Sequence, residues 1–151
     1  MSERDDLIEQ SYNFSPAELV SQPDTDYQGA IADGARGLNF LLGMQQDLET
    51  LHGRKVDPND PEQVSAYIRD VILCATDELH EVLAEVNWKP WKASRGIKDI
   101  SNYREEMADV LHFILDLYLA GGLTGRDIML DYMTKHYENV NRVSNVEYMA
   151  G

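Results

Sequence analysis

The 151-residue sequence contains a single cysteine, Cys74, and few positive charges. One cysteine excludes an intrachain disulfide framework, and its place in an apolar run predicts a buried, unreactive thiol in a reducing compartment. Only 13 Lys and Arg stand against 27 Asp and Glu, which gives a net charge of −14. A chain this acidic repels nucleic-acid backbones and anionic membranes, so we expect neither a nucleic-acid polymer nor a membrane as partner. An anion can still bind through a metal ion or a local cluster of cations.

Long hydrophobic runs are also missing. No apolar stretch approaches the roughly 18 residues that a membrane span needs. The first residues are charged and no apolar core follows them, so they do not resemble a signal peptide. Hydrophobic residues make up 43% and charged residues 26% of the chain, which is typical of a globular domain. These features predict a soluble, cytoplasmic protein.

The pattern of apolar residues is helical and contains no alternating run long enough for a sheet. We expect residues 1–26 to form a flexible or irregular N-terminal arm and residues 27–151 to form a single all-α domain. Four amphipathic stripes predict a four-helix-bundle-like core. The predicted helices run from Tyr27 or Gly29 to Leu51, from the Asp60-Pro61 cap to a point before Pro90, from a cap at Ser101 or Asn102 to Gly121-Gly122, and from Thr124 to about Arg142.

Two pairs of carboxylates lie at the margins of predicted core stripes. Glu78 and Glu81 stand three residues apart on the second helix, as do Glu106 and Asp109 on the third, so each pair projects from one side of its helix. Acidic residues beside a core are costly unless they are paired or bind a metal. Facing pairs would supply four carboxylates, an oxygen cage suited to Mg²⁺. The alternative is that both pairs are simply solvated helix faces.

A cationic stripe lies on the fourth helix, where Lys135, Asn139 and Arg142 follow one another at steps of four and three. This set is typical of a phosphate-binding surface, because Arg makes forked contacts with phosphate and Lys supplies a point charge. Cations near a helix C-terminus also complement the helix dipole, so this alternative stays open.

Taken together, the patterns E-x-x-E, E-x-x-D and K-x-x-x-N-x-x-R resemble the all-α NTP pyrophosphatase superfamily. This superfamily includes MazG-type enzymes, dCTP pyrophosphatases and dimeric dUTPases. The stretches Asp77-Glu78-Leu79-His80-Glu81, Trp88-Lys89-Pro90-Trp91-Lys92 and Glu106-Met107-Ala108-Asp109-Val110-Leu111-His112-Phe113 look most like the dimeric dUTPase branch. The resemblance covers about Leu38 to Arg142 and implies a four-helix fold of that type.

The resemblance implies an enzyme that hydrolyses dUTP to dUMP and pyrophosphate, with Mg²⁺ as cofactor and Mn²⁺ as a substitute, and that forms a homodimer or a higher homo-oligomer. It implies that one of the two glutamates Glu78 and Glu81 is the general base. Gln45 matches the glutamine that reads the base, and its place on an apolar stripe also marks it as an amide that needs partners. Trp88 either stacks on a base or packs the loop. The implied metal ligands are Glu78, Glu81, Glu106 and Asp109, and the implied phosphate or sugar contacts are Lys89, Lys92, Lys135, Asn139 and Arg142.

Three other functions compete with this one. The first is a MazG-like pyrophosphohydrolase of dCTP or of purine deoxynucleotides, with the same cage and another base pocket. The second is a ferritin-like di-iron protein, suggested by Asp109-x-x-His112 and disfavoured because Glu78-x-His80 has the wrong spacing. The third is a non-catalytic helical dimerisation or regulatory module. We expect His112 and His136 to be packing residues and His80 to be exposed.

Overall fold

The computed structural model describes residues 26–150, with the side chains of residues 26–143. Helices α1 (Tyr27–Leu51), α2 (Pro61–Ala84), α3 (Ile100–Ala120) and α4 (Gly125–Ala150) account for most of them, and strands β1 (Val86–Asn87) and β2 (Gly96–Ile97) form one antiparallel pair. The prediction of an all-α fold with four helices is confirmed. The predicted N-terminal arm lies outside the described residues except for Asp26, and the single domain over 27–151 stays a prediction.

Aspartates cap the first three helices. Asp26 accepts a hydrogen bond from the backbone N–H of Gly29, and Asp60 accepts from those of Glu62 and Gln63, as its position before Pro61 predicts. The hydrogen bonds to Gln63 hold the pKa of Asp60 below its ordinary value. The predicted cap of α3 at Ser101 or Asn102 is wrong, because the cap is Asp99. Its carboxylate accepts from the backbone N–H groups of both predicted residues, so these already lie inside the first turn.

Helix α4 begins where the sequence predicts and ends later. The hydroxyl of Thr124 accepts from the backbone N–H of Asp127, whose carboxylate accepts from that of Thr124 in return. The predicted end near Arg142 is too early, because the helix continues to Ala150. The sequence between Arg142 and Ala150 contains no glycine or proline that would end it.

Within the described residues, contacts divide the chain into two compact units, residues 41–123 and residues 26–40 with 124–150. In the first unit α2 packs against α3. The negative charge of Asp116 near the end of α3 acts on Tyr67 near the start of α2, and Glu78 further along α2 clusters with Glu106 near the start of α3. The two helices therefore run antiparallel. The buried apolar residues of this unit are Leu42, Val71, Ala75, Val110 and Leu115, whereas Cys74 is only half-buried, contrary to the prediction.

A close helix contact organises the second unit. Gly125 at the start of α4 lies so near to α1 that an added Cβ would stand 2.4 Å from the backbone oxygen of Ala35. The N–H of Gly125 donates to the side-chain oxygen of Asn39 at 2.7 Å. Ile31, Ala35 and Leu130 are buried here.

The strand pair closes the loop that links α2 to α3. The backbone N–H of Lys98 donates to the Glu85 oxygen at 2.8 Å, and its ammonium group bonds to the carbonyl of Ala84. Gly96 has a φ of 85°, a conformation that favours glycine. The guanidinium of Arg95 donates to the backbone oxygen of Lys89 at 3.0 Å, so the loop has a defined shape.

In the described part of the chain, no single helix is both long and apolar enough to cross a membrane, and α3 and the first part of α4 reach the required length and composition only as a bent pair.

Candidate active site

Three of the four predicted metal ligands lie together between α2 and α3. Glu78, Glu81 and Glu106 each place one carboxylate oxygen within 4.8 Å of the others. The spacing of three puts Glu78 and Glu81 on the same side of α2, and the antiparallel packing of α3 brings Glu106 opposite them. Glu78 and Glu106 are half-buried, and Glu81 is exposed. Carboxylate oxygens from two helices form a donor set that suits a hard divalent cation.

The charges of this cluster repel one another. Desolvation, followed by the charges of Glu81 and Asp109, raises the pKa of Glu78. The same causes in the same order raise the pKa of Glu106. Asp109, the fourth predicted ligand, therefore lies close enough to act on both, although its oxygen is not among the three that cluster. Among the described residues, no Lys or Arg forms an ion pair with these four. A bound cation would relieve the repulsion that the protein leaves uncompensated.

Gln45 on α1 is the buried centre of a series of hydrogen bonds. It is 3% exposed, and its Nε2 donates to Oδ1 of Asp116 at 2.7 Å. Its Oε1 lies 2.6 Å from Nδ1 of His112. Asp116 is 1% exposed, and its burial raises its pKa, against the lowering effect of the Gln45 hydrogen bond. The amide expected to read a base is thus held on both sides by protein groups.

A second polar pair lies next to this chain. The hydroxyl of Tyr67 donates to Oε2 of Glu49 at 3.2 Å, and Arg54 lies 3.8 Å from the same oxygen. Burial, followed by the charges of Asp116 and Glu49, raises the pKa of Tyr67. A cavity of about 320 Å³ is lined by Glu49, Arg54 and Tyr67, together with Gln46 and several apolar side chains.

The basic loop forms a separate cavity. Lys89 and Lys92 line a space of about 400 Å³ together with Trp88, His80 and Lys98. The ammonium of Lys89 lies 5.9 Å from the ring centroid of Trp88 and 6.0 Å from that of Trp91. His80 is exposed, as predicted. It follows Glu78 by two residues, so these two side chains point about 200° apart around α2.

The predicted phosphate contacts on α4 belong to the other unit. Lys135, Asn139 and Arg142 are all exposed. Lys135 donates to Glu138 at 2.6 Å, and this hydrogen bond holds the pKa of Glu138 below its ordinary value. Their role with phosphate stays a prediction.

Sequence reasoning missed both hydrogen-bond partners of Gln45. Asp116 interrupts the apolar run Ile114-Leu115-Asp116-Leu117 of α3. A charged residue in such a run indicates a buried carboxylate that needs a hydrogen-bond partner. His112 was expected only to pack. It is exposed, and the structure gives it a hydrogen bond to Gln45.

Comparison with known proteins identifies the family of the chain. A family model described as dUTPase matches residues 37–126. This range includes the four acidic residues and the three hydrogen-bonded residues Gln45, His112 and Asp116. A dCTP pyrophosphatase of Enterobacteria phage T4 is 23% identical over 160 aligned residues, covering 85% of this chain and 92% of the relative. A dCTP pyrophosphatase of Enterobacteria phage LZ5 is 28% identical over 156, covering 83% and 91%.

No solved structure matches the chain significantly. The family match extends over more than half of the sequence and contains every acidic residue of the cluster. On this ground the chain belongs to the dUTPase family, and it is a nucleoside triphosphate pyrophosphatase.

Proposed function

We propose that the protein is a Mg²⁺-dependent dUTP diphosphatase that converts dUTP and water to dUMP and pyrophosphate. The observation that carries this proposal is the carboxylate cluster of Glu78, Glu81 and Glu106, which lies within the matched part of the chain. Uncompensated negative charge between two helices favours a divalent cation, and an all-oxygen donor set favours Mg²⁺, with Mn²⁺ as a substitute.

Glu78, Glu81, Glu106 and Asp109 would hold the metal. A Mg²⁺ ion held there would neutralise charge on the phosphates and make the attacking water easier to deprotonate. The oxygen of water forms a bond to the α-phosphorus, and the bond from the α-phosphorus to the oxygen that bridges to the β-phosphorus breaks, so that dUMP forms and pyrophosphate leaves. Glu78 or Glu81 takes the proton of the attacking water.

The remaining predicted residues would bind the nucleotide. We assign phosphate or sugar contacts to the exposed cations and amide of α4 and to the basic loop. The buried amide of Gln45 has one N–H and one oxygen lone pair beyond its bonds to Asp116 and His112. Trp88 is exposed and can stack on a base. The assigned contacts are Gln45, Trp88, Lys89, Lys92, Lys135, Asn139 and Arg142.

A second candidate substrate is dCTP, because both phage relatives are named dCTP pyrophosphatases. Pyrophosphate release should be measured with dUTP, dCTP, TTP, dATP and dGTP, each with Mg²⁺ and with excess EDTA. We expect the highest kcat/KM with dUTP and no turnover in EDTA. A preference for dCTP would show that dCTP, and not dUTP, is the substrate, and it would leave the proposed mechanism unchanged. Turnover that persists in EDTA would contradict the metal site.

We also propose that the protein forms a homodimer or a higher homo-oligomer. Large apolar side chains are exposed along α2, among them Ile72, Leu73 and Leu79. Exposed apolar groups that share one helix are typical of association surfaces. Light scattering after size exclusion should give a mass of at least two chains. Leu73→Lys should lower that mass, with Arg69→Lys as the neighbouring control, and a monomeric wild type would contradict this proposal.

A further inference from the structure

We propose that His112 contacts the base of the substrate in addition to Gln45, and that buried Asp116 positions His112 through Gln45. His112 binds an N–H group on the Watson–Crick edge of a pyrimidine through its Nε2 lone pair. The inference rests on the proposed function, because it concerns the nucleotide that the carboxylate cluster would hydrolyse.

Burial of the three hydrogen-bonded residues indicates which of them the substrate meets first. Asp116 and Gln45 are 1% and 3% exposed, whereas His112 is exposed. A base that approaches from solvent therefore meets the imidazole before it meets the amide. One N–H and one oxygen lone pair of Gln45 already form hydrogen bonds with Asp116 and His112.

The position of His112 on α3 fits a nucleoside contact. It follows Asp109 by three residues, so the two lie about one helical turn apart on the same side of the helix. Glu106 and Asp109 belong to the end of α3 at which the phosphates would be held. A nucleotide lying along α3 places its sugar and base beyond its phosphates, on the side of His112.

The direction of each hydrogen bond follows from the chemistry of Asp116. An ionised carboxylate only accepts hydrogen bonds, so the Gln45 group that faces it must be the NH₂. The carbonyl oxygen of Gln45 then faces His112, and Nδ1 must carry the hydrogen. A neutral imidazole with its hydrogen on Nδ1 has a lone pair on Nε2. Among the described residues, none makes a hydrogen bond to that atom.

The chain therefore fixes the His112 tautomer and presents an acceptor to the base. Uracil offers its N3–H to such an acceptor, and methylation of N3 removes that hydrogen. His112→Phe keeps a planar ring and removes both nitrogens, whereas His112→Gln restores an oxygen near the position of Nε2. His52→Phe is the matched control, because His52 is an exposed histidine that has no hydrogen bond to Gln45 or Asp116.

The first test measures steady-state kinetics with dUTP and N3-methyl-dUTP. We expect His112→Phe to raise KM for dUTP by about 3- to 10-fold with little change in kcat, the loss of one neutral hydrogen bond. The wild-type preference for dUTP over its N3-methyl analogue should fall by the same factor, and His112→Gln should recover part of it. His52→Phe should match the wild type. An unchanged preference for dUTP over N3-methyl-dUTP in His112→Phe would overturn the base contact. So would a His112→Phe variant that loses the wild-type preference for dUTP over 2′,3′-dideoxyuridine triphosphate, because that result would assign His112 to the 3′-hydroxyl of the sugar.

The second test measures the tautomer by NMR of ¹⁵N-histidine-labelled protein without substrate or metal at pH 8. The neutral His112 ring should carry its hydrogen on Nδ1 in the wild type. In Gln45→Met and in Asp116→Leu the resonances should shift toward the Nε2–H form. A wild-type Nε2–H tautomer would overturn the positioning by Asp116. Because this readout needs no turnover, it separates failure of the inference from failure of the proposed dUTPase activity.

Discussion

The hydrogen bond between Gln45 and Asp116 makes a measurable prediction about stability. It joins two groups that are 3% and 1% exposed, at 2.7 Å, across 71 residues of sequence. A hydrogen bond to a charged group contributes about 1.5–3 kcal/mol, and we expect a coupling free energy of that size between Gln45→Ala and Asp116→Ala in a double-mutant cycle. The single variants do not isolate the bond, because Asp116→Ala also removes the cost of burying a carboxylate.

The assay is urea unfolding of the metal-free protein, followed by circular dichroism and tryptophan fluorescence. Each variant gives a free energy of unfolding, and the cycle gives the coupling. Costs that add to within about 0.5 kcal/mol would refute the reasoning, because independent sites behave in that way. Additive costs would show that the two side chains do not interact in solution.

The pH dependence of the same variants supplies an independent check. Burial raises the pKa of Asp116 above its ordinary value of 3.8, so the folded state binds this proton more tightly than the unfolded state does. The contribution of Asp116 to the free energy of unfolding must therefore fall as the pH rises above 3.8 through the folded-state pKa. Asp116→Asn lacks this titration, so its stability relative to the wild type should rise over that window. A difference that is constant with pH would contradict the raised pKa.

Three further predictions concern the cluster and the packing. Glu106→Gln should lower kcat at least 100-fold in Mg²⁺ and abolish the Mg²⁺-dependent rise in melting temperature. Without metal, the variant should be at least as stable as the wild type, because one repelling charge is gone. Full activity would contradict the assignment of Glu106 as a metal ligand. Val71→Ala should cost about 2 kcal/mol in urea unfolding, because Val71 is 1% exposed. Gly125→Ala should destabilise the protein by about 1–3 kcal/mol, since its Cβ would overlap the backbone of α1 at Ala35, whereas Gly37→Ala meets no atom within 4 Å and should not destabilise.

Local signals in the sequence predicted much of the fold. Three helix ends lie where the sequence indicates: the N-cap of α2 at Asp60-Pro61, the capping box of α4 at Thr124 and Asp127, and the end of α3 at Gly121-Gly122. The errors are also local. Asp99 caps α3 in place of Ser101 or Asn102, because its carboxylate accepts from both of their N–H groups. Helix α4 passes Arg142 because nothing in the following residues ends it.

By itself, the sequence determined the helices and the spacing of the carboxylate pairs, because both depend on the 3.6-residue period of a helix. Only the tertiary structure brought Glu78 and Glu81 within reach of Glu106, because that requires α2 and α3 to pack antiparallel in one register. The hydrogen bonds of Gln45 to His112 and to Asp116 likewise depend on packing across 67 and 71 residues. No local pattern encodes such pairings, because burial and hydrogen-bond direction are set by groups that the fold alone brings together.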